Sequence, residues 1–112
     1  MQTSPSRYRI VLCTCPDRVC AERIASALLE RRLAACVNVL PGVMSRFWWN
    51  GKVDGADEHL LLVKTRVDAF QRIQETVTSL HPYELPEVLA VPIADALAPY
   101  LRWIDESMEE QP

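Results

Sequence analysis

Residues 37–64 read VNVLPGVMSRFWWNGKVDGADEHLLLVK, and the Asn50–Gly51 pair near their midpoint decides the fold. Asn-Gly between strand-forming runs is the strongest short-range hairpin signal, because a type I′ turn needs positive φ at both central residues. Pairing outward from the turn sets Trp48 opposite Val53, Val43 opposite Glu58 and Val39 opposite Leu62. Pro41–Gly42 interrupts the first strand. Proline cannot donate to a ladder and glycine tolerates unusual backbone angles, so a bulge or bend is expected there.

Such a hairpin is long. About fourteen residues at ~3.3 Å each reach ~45 Å, against ~17–20 Å for an ordinary strand. Its far end carries Phe47 and Trp49 on one face, Met44 and Trp48 on the other. A two-stranded ribbon in water shelters neither face by itself. Further copies of the same chain are the simplest cover, added at an exposed strand edge, and a homo-oligomer is the expectation.

Towards the N-terminus, YRIVLCTC (8–15) reads as a buried strand. Pro16 and Asp17 open a helix with Asp17 as N-cap, and Ala21, Ile24, Ala25 and Leu28 form its apolar face. That helix is expected to end near Arg32–Leu33, with basic residues in its last turn. Towards the C-terminus, Thr65 with Asp68 resembles a capping box. Phe70, Ile73, Val77 and Leu80 form the stripe of a second helix, which Pro82 stops. EVLAVPI (87–93) reads as a short strand, and Pro99 suits the first turn of a terminal helix with Tyr100, Trp103 and Ile104 facing inward.

The order β-α-β-β-α-β plus a C-terminal helix predicts an α+β, ferredoxin-like domain: a four-stranded antiparallel sheet with two helices on one face. The other face then needs cover. One domain spans 8–107, with short tails at 1–7 and 108–112.

Composition narrows the function classes. The 112 residues are 49% hydrophobic and 24% charged, ordinary for a globular domain. A net charge of −3 supplies no electrostatic footprint for nucleic acid or for an anionic membrane. MQTSPSRYR lacks the apolar run of a signal peptide and HLLLVK is far too short to span a bilayer, so the expected location is the cytoplasm. Thiols there stay reduced, and Cys13, Cys15, Cys20 and Cys36 lack the paired C-x-x-C units of a structural zinc site. Gly42, Gly51 and Gly55 form no phosphate-binding loop.

Two groups of side chains remain for chemistry. Cys13 and Cys15, two apart on a strand, point their thiols to the same side, and paired soft sulfurs suit copper(I) or zinc. Free cysteines are also often small buried hydrophobes. Cys20 and Cys36 read as structural. His59 has only Glu58 beside it. His81 precedes Pro82, which drives it toward extended angles; it reads either as a ligand or as a helix C-cap. Glu84 and Glu87 read as paired carboxylates or as solvated turn residues. No oxyanion loop or orienting third group accompanies a cysteine and His81, so no enzyme is expected.

Four ordered motifs, LAACVNVLPGVMSRFWWNGKV, EHLLLVKT, HPYELPEV and YLRWI, resemble the CutA divalent-ion tolerance family over residues 8–107. The resemblance implies a ferredoxin-like subunit, a tight homotrimer with interlocked hairpins, cytoplasmic location, and a link to copper and other divalent cations. It implies a copper site at Cys13 and His81, with no organic cofactor; where a second histidine can stand in that pattern, this chain has Leu80. The leading expectation is a metal-binding, non-catalytic trimer in divalent-cation tolerance. The alternative is a small-molecule sensor of the PII signalling type, a likeness of fold alone, with Lys64, Tyr83, Glu87 and Trp103 as cleft residues between subunits. No motif names a protein partner.

Overall fold

The structure, a computed structural model, describes residues 7–109. Their order is β1 (Tyr8–Cys15), α1 (Arg18–Glu30), β2 (Cys36–Trp49), β3 (Lys52–Arg66), a 3-10 turn (Val67–Ala69), α2 (Phe70–Leu80), β4 (Leu89–Pro92) and α3 (Ala98–Met108). The strands form one antiparallel sheet in the order β2-β3-β1-β4, the arrangement of the split βαβ unit. Residues 1–6 and 110–112, assigned above to tails, lie outside the described residues. Met108 belongs to α3, one residue beyond the expected domain limit.

Asn50 and Gly51 take φ of 51° and 76°, as the turn demands. Trp48 pairs with Val53 and Val43 with Glu58, but Val39 pairs with Leu61 rather than Leu62. The cause is the interruption at Pro41–Gly42. Between Leu40 and Val43, β2 takes one residue more than β3, and Gly42 sits there at φ 75°. The hairpin gives the molecule a long axis of 48 Å against 29 and 23 Å across.

The core lies between the sheet and two helices. Val11, Cys13 and Cys15 of β1 and Leu61 and Val63 of β3 pack with Ala21, Ile24 and Leu28 of α1 and Ile73 and Val77 of α2. These are the odd positions of both strands, as a two-residue repeat requires. The opposite face carries Ile10, Leu12, Leu60 and Leu62 in register with Leu89 and Val91 of β4, both half-exposed.

Local chemistry explains most ends. Asp17 caps α1, its carboxylate accepting from the Cys20 N–H at 2.8 Å. Contrary to the expected end, α1 stops at Glu30 with no basic residue in its last turn. Arg32 takes φ 57°. The arginines bind neighbouring helices instead: Arg31 donates to Thr76 Oγ1 at 3.1 Å and Arg32 to the Ser107 carbonyl at 2.9 Å.

Two further expectations fail for a shared reason, a tertiary partner stronger than the local one. Thr65 does not cap α2; it is a fully buried β3 residue whose hydroxyl donates to the Leu33 carbonyl at 2.6 Å. In α3 the inward stripe is Leu101, Ile104, Asp105 and Met108, so Tyr100 and Trp103 fall to one side and stay partly exposed. Asp105 draws that stripe inward: it accepts from Tyr8 Oη at 2.6 Å and from Arg66 Nη1 at 3.2 Å. Among the described residues no helix is long and apolar enough to cross a membrane.

Candidate functional site

β1 ends in Cys13-Thr14-Cys15, which turns both thiols into the core and leaves the Thr14 carbonyl at the edge of the ladder. α2 ends at Leu80, and His81 leaves the helix at φ −78°, ψ 136°, the extended geometry that the following proline imposes. Its ring comes to the end of β1. The ligand atoms of Cys13, Cys15 and His81 all lie within 4.8 Å of one another, and all three residues are buried.

Both nitrogens of His81 are engaged. The Tyr83 backbone N–H donates to Nδ1 at 3.1 Å, so Nδ1 is an acceptor. Nε2 lies 2.7 Å from the Thr14 carbonyl, which only accepts, so Nε2 carries the proton and donates. His81 is therefore neutral, in one tautomer, between two backbone groups. The C-cap reading and the ligand reading of this residue meet at one place.

Two of the thiols, those of Cys15 and Cys20, are biased toward their protonated forms. The hydrogen bond with Cys13, then burial, pushes the Cys15 thiol far above its ordinary value. Burial, then the contact with Cys15, pushes Cys20 up to about 12. Cys15 thus links two other sulfurs, and Cys20 belongs to this neighbourhood rather than to inert packing alone. His59 faces Cys15 across the ladder, yet it is outside the thiol–imidazole group, and its buried Nδ1 has no hydrogen-bond partner among the described residues.

On the far side of the same loop runs a groove of about 960 Å³, walled by Phe47, Trp49, Glu58, Tyr83, Glu87 and Leu89 among others. Tyr83 Oη donates to Glu58 Oε2 at 2.7 Å, and Glu58 is buried. Burial, then the Glu58 hydrogen bond, raises the Tyr83 phenol above its ordinary value. Burial, then the charge of Glu58, raises the Glu87 carboxyl. Of the four cleft candidates, the structure brings Tyr83 and Glu87 together on this groove. Lys64 lies on the helix-free face opposite Ile10 and Cys36, and Trp103 stacks on Tyr100 at 5.3 Å on α3; neither walls the groove. Glu58 was missed as a site residue. Its only signal was a carboxylate beside His59, immediately before the apolar run of residues 60–63.

The order of elements, the long hairpin and the thiol–imidazole pair can now be set beside known proteins. The family model described as "CutA1 divalent ion tolerance protein" matches residues 9–107. The chain belongs to the CutA1 divalent ion tolerance family. It is 49% identical over 98 residues to the divalent-cation tolerance protein CutA of Thermus thermophilus, covering 88% of this chain and 95% of that one. Against the Archaeoglobus fulgidus protein the identity is 43%, with 91% and 99% covered. The crystal structure of CutA1 from Oryza sativa superposes with a TM-score of 0.90 at 37% identity, covering 98% of this chain and 100% of that one.

The family's metal chemistry can be tested against these donors. Two thiols and an imidazole, clustered and buried, are a donor set for soft cations. The sulfurs must lose their protons and the imidazole a hydrogen bond before a metal is held. The set fits a soft ion, and fits oxygen-seeking cations such as magnesium or calcium poorly.

Proposed function

We propose that this CutA-family chain is a cytoplasmic homotrimer that serves divalent-cation tolerance by binding copper, or a similar soft cation, without catalysing a reaction. Cys13 and His81 are the principal donors. The observation that carries this reading is the convergence of Cys13, Cys15 and His81 from β1 and the end of α2 on one buried point. When bound, the metal supplies charge and a coordination preference; the chain supplies soft donors and a water-poor setting. Equilibrium dialysis of the reduced protein against Cu(I) and Zn(II) tests it. Uptake is expected in the wild type and lost in the Cys13→Ser, His81→Ala double variant; equal uptake by both rejects the site.

The trimer is supported by what one chain leaves bare: Met44, Trp48 and Val53 on the hairpin, and Leu89 and Val91 on the helix-free face. Light scattering should give a mass of three 12.7 kDa chains. Four free cysteines favour a reducing compartment, which cell fractionation would test, since the Archaeoglobus fulgidus relative of known structure is described as periplasmic.

A second reading, a PII-like small-molecule sensor, is favoured by the groove at Tyr83 and Glu87. Lys64 and Trp103 would then have to be delivered by a neighbouring subunit. A metabolite screen by thermal shift tests it, because a ligand held only by the native state raises the melting temperature. No shift at saturating concentrations rejects it.

A further inference from the structure

His81 stands between two features of the site. On one side are the thiols of Cys13 and Cys15; on the other is the loop that carries Tyr83 into the groove. We propose that His81 is a latch: a soft monovalent cation gripped by Cys13 and Cys15 draws the imidazole off the Tyr83 backbone N–H and so frees that backbone within the 81–88 loop. The inference rests on the metal-binding reading above and adds Cys15 as a donor and the groove as the place where occupancy is felt.

The two sulfurs suit the grip. Two metal–thiolate bonds of about 2.3 Å laid end to end span about 4.6 Å, and the sulfurs lie within 4.8 Å of each other. Each thiol gives its proton to solvent as its sulfur takes the metal, and the cation's oxidation state does not change. Sulfur pairs of this kind favour Cu(I) over harder divalent ions.

The latch follows from the tautomer. If the metal takes Nδ1, it occupies the lone pair that now accepts from Tyr83 N–H. If it takes Nε2, the proton there must leave, and a neutral ring then carries it on Nδ1, which no longer accepts. Either route ends the Tyr83 N–H bond. Tyr83 is the residue whose hydroxyl holds Glu58 at 2.7 Å and whose ring lies 4.6 Å from that of His81. Releasing its backbone therefore loosens one wall of the groove.

The test is amide hydrogen exchange on the intact, 15N-labelled protein, with and without one equivalent of Cu(I) under anaerobic conditions. The Tyr83 amide should exchange about tenfold faster with Cu(I), the worth of one net hydrogen bond, and the His81 ring nitrogens should shift. His81→Gln is the control, since its amide can donate to Thr14 and accept from Tyr83 but is a poor soft ligand. There Cu(I) should leave the Tyr83 amide unchanged. Cu(I) bound with wild-type exchange and ring shifts unaltered overturns the latch and leaves the metal reading standing. Equal acceleration in His81→Gln also overturns it. Failure to take up Cu(I) overturns both. If His81→Gln does not fold, the wild-type comparison decides alone.

Discussion

The two halves of the β2–β3 hairpin are made from the same strands, yet they have opposite fates. Near the body, Leu61, Val63 and Thr65 are at most 1% exposed, covered by α1, α2 and α3. Near the turn, Met44 and Trp48 are 73% and 74% exposed and Val53 is 53% exposed. The chain finishes one half by itself and leaves the other unfinished. A ladder of hydrogen bonds is enough to fix strand geometry, but only side-chain cover makes a strand part of a core.

Measurements can break this contrast. The largest effect is expected for Leu61→Ala in the body, a loss of about 2–5 kcal/mol in denaturant unfolding, as for other buried leucines. That loss should not depend on protein concentration. Tyr8→Phe should cost about 1–3 kcal/mol, because the buried Asp105 carboxylate loses a donor at 2.6 Å and, among the described residues, keeps Arg66. Gly51→Ala, at φ 76°, should cost about 1 kcal/mol by straining the turn.

On the exposed half, Trp48→Ser should change the unfolding free energy by no more than about 0.5 kcal/mol at low protein concentration. It should instead weaken the rise of melting temperature with concentration that an oligomer shows. A loss at Trp48 as large and as concentration-independent as that at Leu61 would abolish the distinction between the halves.

A pH experiment probes the base of the hairpin, where Glu58 meets the loop. The Glu87 carboxyl is raised in the folded state by burial and by Glu58, so the native protein binds its proton more tightly than the unfolded chain does. Its contribution to stability is present below the ordinary glutamate value and is lost as pH rises through the raised one. Glu87→Gln should flatten that decline and stabilise the protein modestly at neutral pH. An unchanged slope in urea titrations across the acidic range would exclude the coupling.

Much of the fold was legible because it is written locally. Asn50–Gly51 names its own turn, Asp17 caps the helix it precedes, and Pro82 ends α2. The slip of Val39 to Leu61 came from the local bulge at Pro41–Gly42, but two other failures depended on a distant partner. Thr65 had a plausible cap role until Leu33 took its hydroxyl, and α3 turned to suit Asp105 rather than Trp103. The site was half legible. Cys13 and His81 carry the residue types that soft-metal chemistry needs, and the structure gathers both. The double engagement of His81 was not legible, because it requires the Thr14 carbonyl, 67 residues away, at the ring. The Tyr83–Glu58 bond, across 25 residues, was hidden in the same way.

The extra residue at Pro41–Gly42 acts on the hairpin as a phase slip acts on a two-beat rhythm. Before it, Asn38 and Leu40 fall on the beat of Leu62 and Leu60; after it, Val43, Phe47 and Trp49 share the beat of Glu58, Asp54 and Lys52. Even-numbered residues hold the helix-free side of β2 up to Leu40, and odd-numbered ones hold it from Val43 onward. That single count brings Phe47 and Trp49 round to the side of Glu58 and sends Met44 and Trp48 to the other. Removing one residue there would exchange the two aromatic sets while leaving every strand in place, so the facing of the whole arm is decided well away from its tip.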